Sequence, residues 1–305
     1  MTVKNLKDVA ASVRQRLLNK SKAENRMFDE IVRRYAMERF LYRLGMSEYR
    51  ERLILKGALM FAVWKNSIYR PTLDIDMLGL ISNDATTLEE CICDICSLKT
   101  EDDGIIFDTS TVRSSAITKD ADYVGRRVRF TGKMENMRIA MQIDIGFGDA
   151  VYPKPDKITM PSFIDMPLAQ ILGYTKESAI AEKYHAMVQM AELNSRMKDF
   201  YDIWVLSRTF DFSGHTLAEA IKATFNRRGT PIADDMVMFT ESFARDKQDQ
   251  WRMFRKKIGA VELPESFFEV MSQIKKFLLP VISYLAGGTK EPENWKVPDM
   301  WIFGL

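Results

Sequence analysis

The sequence predicts an α+β fold, a strand-bearing core set between helical N-terminal and C-terminal elements, because its texture changes twice along the chain. Apolar residues recur at helical spacing up to about residue 44, give way to short alternating runs broken by Gly and Pro, and return to helical spacing from about residue 168. The resulting division is a helical region at 1–50, a core at 51–165, a helical domain at 166–287 and a linker with a tail at 288–305.

The opening is a helical pair. Leu6, Val9, Val13 and Leu17 share one face of the first helix. Phe28, Ile31, Tyr35 and Leu44 share one face of the second, and Gly45 follows as a stop signal. In the core, Leu53–Leu55 is a short apolar run ending in Lys56-Gly57, and ALMFAVWKN reads as a helix opened by that glycine. Pro71 breaks the chain, and residues 72–81 (TLDIDMLGLI) read as a buried strand. TLEECICDICSL reads as an amphipathic helix. RRVRF at 126–130 and RIAMQIDIGF at 138–147 read as strands joined by TGKMEN.

From residue 168 two helices are expected, QILGYTKESAIAEKYHAMVQMAEL and SRMKDFYDIWVLSRTF, with others at 216–226, 232–258 and 264–284. GGTKEPENWKVPD is a linker by composition, and MWIFGL is an apolar tag expected to dock on the protein's own surface.

Composition excludes several classes. No apolar run reaches the roughly 18 residues that span a bilayer, and the charged first stretch has no secretory apolar region, so a cytoplasmic location is the expectation. The three cysteines, Cys91, Cys93 and Cys96, lie too close together for a disulfide framework and are too few for a four-cysteine zinc site. They read as free thiols on a helix. With two histidines in the chain, His-based triads and zinc sites lack support, and no Gly-rich phosphate-loop or dinucleotide fingerprint is present. His185 reads as a packed helix residue.

Residues 1–50 hold twelve Lys/Arg against six Asp/Glu, a surplus of +6 in a chain whose net charge is +2. That surplus suits an acidic partner such as RNA or a solvated helix face. The same two readings apply to Arg126-Arg127-Arg129, Arg227-Arg228 and Arg252-Arg255-Lys256-Lys257. The loop-like FNRRGTP stretch is the best contact candidate among them.

The chemistry is carried by acids. Asp74 and Asp76 stand two apart in a strand pattern, so both side chains share one face while Ile75 and Met77 take the other. Adjacent carboxylates repel, and a divalent cation such as Mg²⁺ relieves that repulsion with hard oxygen ligands. Asp144 is a lone carboxylate on the apolar strand of MQIDIGFGD. If that strand lies beside 72–81, three acids converge in the arrangement used for metal-assisted phosphoryl or nucleotidyl transfer.

These residues carry a resemblance. LKGALMFAVWKN…RPTLDIDMLG, RYAMERFLYRL, QIDIGFGD, AEKYHAMV and NSRMKDFYDIW are similar, in order, to the AbiEii/AbiGii nucleotidyltransferase toxins of the polymerase-beta-like superfamily. The resemblance implies a mixed-sheet nucleotidyltransferase core. It implies Asp74, Asp76 and Asp144 as Mg²⁺ (or Mn²⁺) ligands, with Asp144 helping to activate the acceptor. It implies Lys183 as a contact for nucleotide phosphates, Asp199 as a further catalytic acid and Asp202 as its neighbour on the same helix face. Lys56, Gly57, Arg70 and Thr72 would shape the nucleotide-binding loop. Ala58 departs from the superfamily pattern, which has Gly or Ser there, so backbone N–H groups would replace a hydroxyl.

The implied activity is transfer of a nucleoside monophosphate from a nucleoside triphosphate to an acceptor hydroxyl. The implied acceptor is RNA such as the tRNA 3′ end, within a toxin–antitoxin or phage-defence pair with an AbiEi-like antitoxin. Transfer to a small molecule or protein side chain, or a silent nucleotide- or RNA-binding protein of the same fold, are the alternatives.

Overall fold

The computed structural model describes residues 6–64, 72–118, 124–233, 236–259 and 263–302. The chain forms two compact units, one of residues 1–148 and 156–173 and the other of residues 149–155 and 174–305.

The first unit has the order α1 (Leu6–Glu24), α2 (Phe28–Met46), β1 (Leu53–Lys56), α3 (Met60–Val63), β2 (Ile75–Gly79), α4 (Ala85–Ser97), β3 (Ile106–Thr118), β4 (Val124–Met134), β5 (Met137–Phe147), β6 (Asp156–Met160) and β7 (Ala169–Gly173). Among the described residues its strands form a seven-stranded mixed sheet in the order β3-β4-β5-β2-β1-β7-β6. β2 pairs parallel with β5 and β1 parallel with β7, while the remaining neighbours are antiparallel.

One face of this sheet is covered by helices. Along β5, Ile139, Met141, Ile143 and Ile145 are buried while Arg138, Ala140, Gln142 and Asp144 are not, which is the period-two alternation of a strand with one packed face. The buried set joins Tyr35, Phe40 and Leu44 of α2 and Leu88, Ile92 and Ile95 of α4 in one core. α2 also carries a buried charged network. Arg43 grips Asp103 with both terminal nitrogens, at 2.6 and 3.2 Å, and Glu38 accepts from the Phe163 backbone N–H at 2.7 Å. Burial pushes the Glu38 carboxyl up, and the neighbouring Arg39 opposes that. The three cysteines are free, with Cys91 and Cys96 buried and Cys93 half-buried on α4, and burial raises the Cys91 thiol to about 12.

The second unit contains α5 (Lys176–Met190), α6 (Met197–Thr209), β8 (Phe212–Ser213), α7 (Gly214–Arg228), α8 (Glu241–Asp246), α9 (Gln248–Ile258), α10 (Phe267–Leu285), β9 (Asn294–Lys296) and β10 (Met300–Ile302). α5 begins at Thr175, whose hydroxyl accepts from the Ser178 N–H at 3.2 Å. α6 is buried along almost its whole length and packs against α5, α9 and α10. Within the apolar tag Trp301 packs on Phe277 of α10, and so does Trp295 from the segment read as a linker. The Trp295 indole donates to Ser207 O at 2.6 Å and that of Trp301 to Phe277 O at 3.0 Å. Residues 303–305 lie outside the described residues.

Four expectations need correction. β3 is an edge strand that period counting missed. A register shift between Asp108 and Arg113 breaks its alternation, and its outer positions are Ser, Thr and Arg. Residues 169–173 of the expected first C-terminal helix form β7, because Ala169, Ile171 and Gly173 are buried at alternate positions. The single helix expected at 232–258 is two, α8 capped by Thr240 and α9 beginning after Lys247. The composition-based linker contains β9.

Candidate active site

The sheet face opposite the helices carries the first acid cluster. β2 and β5 run parallel in a register that sets Asp76 directly beside Asp144 and buries Ile75 and Ile143 on the other side. Neighbouring strands are about 4.8 Å apart, so the two carboxylates share one small patch. β2 is shorter than the predicted strand. Asp74 sits in a bend just before it, tied by the Thr72 hydroxyl, which donates to Asp74 O at 3.2 Å. Asp74, Asp76 and Asp144 are all half-buried.

Lys56 and Gly57 approach from the other neighbour. Lys56 stands opposite Asp76 across the antiparallel β1–β2 pair. Gly57 has φ +73°, and a Cβ there would lie 2.2 Å from Asp76 Oδ2, so this position needs glycine both for its backbone and for the space the carboxylate occupies. The helix expected after it is a 3-10 turn (Gly57–Leu59) leading into α3, and Lys65 and Asn66 of ALMFAVWKN fall outside the described residues, as does Arg70. A helical segment this short adds little dipole at its start, so the requirement for Gly57 is its close approach to Asp76.

Arg127 completes the cluster. It lies opposite Asp144 in the β4–β5 register and grips it bidentately, Nε to Oδ1 at 2.8 Å and Nη2 to Oδ2 at 2.6 Å. The hydrogen bonds from Asp144 raise the guanidinium pKa most; partial burial opposes this, and the charges of Asp144, Asp74 and Asp76 add to the rise. An arginine fork suits phosphate oxygens as well as carboxylate, so Arg127 is chemically able to exchange one for the other.

Among the described residues, no three His, Cys, Asp or Glu side chains are grouped so as to hold a metal ion. Asp74, Asp76 and Asp144 are thus not drawn together as a three-carboxylate site, and Arg127 occupies both oxygens of Asp144. Asp74 and Asp76 are hard oxygen donors two residues apart, and that chemistry fits Mg²⁺ or Mn²⁺, which take one or two carboxylates and complete their shell with phosphate and water.

The second cluster lies in the other unit, where α5 faces α6. Lys183 Nζ is 2.6 Å from Asp202 Oδ2 and 3.2 Å from Asp199 Oδ1, and Arg196 Nε is 2.8 Å from Asp199 Oδ2. Asp199 and Asp202 are both buried. The offset of three residues puts both acids on one face of α6, as expected. His185 is packed, not free to act as a base: it is edge-on to Phe225 with its Nε2 2.8 Å from Thr230 Oγ1, and burial lowers its pKa, with Arg228 adding to the effect.

Residues 39–273 match the family described as nucleotidyl transferase AbiEii toxin, type IV TA system. The chain belongs to that family. This AbiEii-family chain is therefore a nucleotidyltransferase of a toxin–antitoxin system, with a nucleotide as substrate and an antitoxin as partner. No curated protein matches it. Two solved structures from Helicobacter pylori resemble it, a candidate nucleotidyltransferase and JHP933. Each is 13% identical over 84% of this chain, covering 96% and 94% of their own chains, with TM-scores of 0.48 and 0.49.

Sequence reading of this AbiEii-family enzyme missed Arg127 as a member of the acid cluster. The signal was present, since alternation in RRVRF puts Arg127 and Arg129 on the face opposite Val128 and Phe130. Arg126 points the other way and donates to Asn83 O at 2.9 Å, so the three arginines do not form one patch. The favoured FNRRGTP contact loop is also revised, because Arg227 and Arg228 end α7 and Arg228 pairs with buried Asp149 at 2.5 Å.

Proposed function

We propose that this nucleotidyltransferase joins the monophosphate of a nucleoside triphosphate to a hydroxyl of RNA, with the tRNA 3′ end as the first acceptor to try. In this reading it is the cytoplasmic toxin of a phage-defence pair whose antitoxin is AbiEi-like. The observation that carries the reading is the parallel β2–β5 register, which gives a half-exposed Asp76 a half-exposed Asp144 as its neighbour.

The acceptor oxygen attacks the α-phosphorus, a new P–O bond forms, and the bond to the bridging oxygen breaks to release pyrophosphate. The acceptor proton leaves to a carboxylate of the cluster, for which Asp144 is the candidate, or to water. Asp74 and Asp76 would hold Mg²⁺ or Mn²⁺, which when bound offsets the charge of the triphosphate. Lys56, Gly57, Thr72 and Arg70 are assigned to positioning the nucleotide. Lys183 is assigned to its phosphates, with Asp199 and Asp202 orienting that lysine; a Lys183→Arg variant should bind nucleotide more weakly, and wild-type affinity would remove the assignment.

The test incubates the protein with Mg²⁺, each α-labelled nucleoside triphosphate in turn and total RNA. Label on RNA that disappears with Asp76→Asn supports the reading. Label on protein or a small molecule alone moves the acceptor to those classes and overturns the RNA assignment.

A further inference from the structure

The sheet face that holds Asp76 and Asp144 continues across β4 to the edge strand β3, and its chemistry changes sign along the way. Register assigns the residues to this face without ambiguity. Arg127 opposes Asp144, Arg129 opposes Gln142, Lys133 opposes Arg138, and on β3 Arg113 opposes Arg129. The alternate positions Val128, Phe130, Met134, Ile139 and Met141 are buried against the helices, so these cations stand on the other face.

Arg113, Arg129, Lys133 and Arg138 are exposed. The acid beside them is Asp108, already engaged by Lys133 at 2.7 Å. Arg129 donates to the neutral Gln142 side chain at 3.1 Å and Arg113 to the Val112 carbonyl at 2.5 Å. Among the described residues no carboxylate lies within ion-pair distance of Arg113, Arg129 or Arg138.

Two of these cations face each other. Arg113 and Arg129 are cross-strand partners, and like charges directly opposite destabilise a sheet. A chain under selection for stability alone has no use for such a pair beside three further cations, whereas a polyanion laid across them relieves the repulsion. The strip starts at the acid cluster, one strand away from Asp144, and runs to the open sheet edge.

We propose that the outer face of β5-β4-β3 is the track for the acceptor, a single-stranded polyribonucleotide. Its phosphates lie on Arg129, Arg113 and Arg138, and its terminal hydroxyl reaches Asp76 and Asp144. The proposal rests on the RNA-acceptor reading above and adds where that RNA lies. A narrow row of separate guanidinium groups on a flat sheet suits the spaced phosphates of a strand, and the binding is largely indifferent to base sequence.

The experiment measures binding of a fluorescently labelled single-stranded oligoribonucleotide with a free 3′ hydroxyl, by anisotropy over a range of salt concentrations, without nucleotide. Proteins compared are the wild type, Arg113→Gln/Arg129→Gln, and Lys256→Gln/Lys257→Gln on α9 as a basic patch elsewhere. Losing two phosphate contacts lowers the slope of log affinity against log salt by about 1.4, which amounts to about 25-fold in affinity at 0.1 M salt. That result, with the α9 variant binding like wild type and an unfolding midpoint for Arg113→Gln/Arg129→Gln equal to or above wild type, is expected. Wild-type affinity and slope in Arg113→Gln/Arg129→Gln overturn the track while leaving the RNA reading intact, as does an equal loss in the α9 variant. No RNA binding by wild type removes the RNA reading itself. If Arg113→Gln/Arg129→Gln melts early, the single Arg138→Gln variant decides, with an expected slope change of about 0.7.

Discussion

The two acid clusters contain similar residues in opposite states. On the sheet, Asp74, Asp76 and Asp144 are half-exposed and all act on the guanidinium of Arg127. Between α5 and α6, Asp199 and Asp202 are buried and meet Lys183 and Arg196, two acids against two cations. The first can change its partners by turning one side chain at a wet surface. The second leaves a buried charge short of its counter-charge if Lys183, Asp199 or Asp202 is lost. The difference assigns exchange of ligands to the sheet and maintenance of local architecture to the helix pair, whatever else Lys183 contacts.

Substitution separates the two. Lys183→Met leaves Asp199 and Asp202 short of a buried cation, and the expected loss is about 3–5 kcal/mol in unfolding free energy, read from chemical denaturation. A loss under 1 kcal/mol would show that this network is not what holds α5 to α6. Asp76→Asn should do the reverse: transfer activity falls by roughly a hundredfold or more, at or beyond the upper end of what changing partners outside a metal's own ligands costs, while the unfolding midpoint stays or rises.

Smaller effects sharpen the sheet side. Gly57→Ala places a methyl against the Asp76 carboxylate and strains a residue at φ +73°, so about 1–2 kcal/mol of stability should go from the backbone term alone. Arg127→Gln releases both oxygens of Asp144. Mn²⁺ binding, followed by electron paramagnetic resonance, should tighten in this variant and weaken in Asp74→Asn. Unchanged Mn²⁺ affinity in both would remove the metal from this patch.

The smallest effect belongs to His185. Its folded pKa lies below the ordinary 6.5 because burial disfavours the imidazolium. The unfolded chain therefore takes up the proton first, and the stability from neutral His185 is present above 6.5 and lost as pH falls from there toward the depressed value. A His185→Gln variant should lose less of its melting temperature between about pH 8 and about pH 5 than wild type, by about 2 °C. Identical pH profiles would contradict this.

Much of the sheet cluster was legible because period two is a local property. Asp76 between Ile75 and Met77, and Asp144 between Ile143 and Ile145, each declare a face without reference to the rest of the chain, whereas Asp74 falls in a bend outside β2. What locality cannot supply is which strand lies next to which. Arg127 becomes a partner of Asp144 only through the β4–β5 register, seventeen positions away in sequence. β3 escaped notice because its register shift and its Ser/Thr-rich outer face hide the alternation that β5 displays. β7 was absorbed into a helix because five residues ending in glycine are too few for the two periods to be told apart. Docking of Trp301 was readable because the tag MWIFGL is apolar, whereas the burial of Trp295 was hidden by the Gly/Pro/charged composition of the stretch around it.

Nucleotidyl transfer on the outer sheet face requires both Asp76 and Asp144 in the proposed reading. Label transfer from α-labelled nucleoside triphosphates, measured for Asp76→Asn and Asp144→Asn beside their unfolding midpoints, tests it most directly. The account predicts folded proteins with wild-type midpoints and transfer reduced at least a hundredfold in each. Wild-type transfer by either folded variant would contradict it.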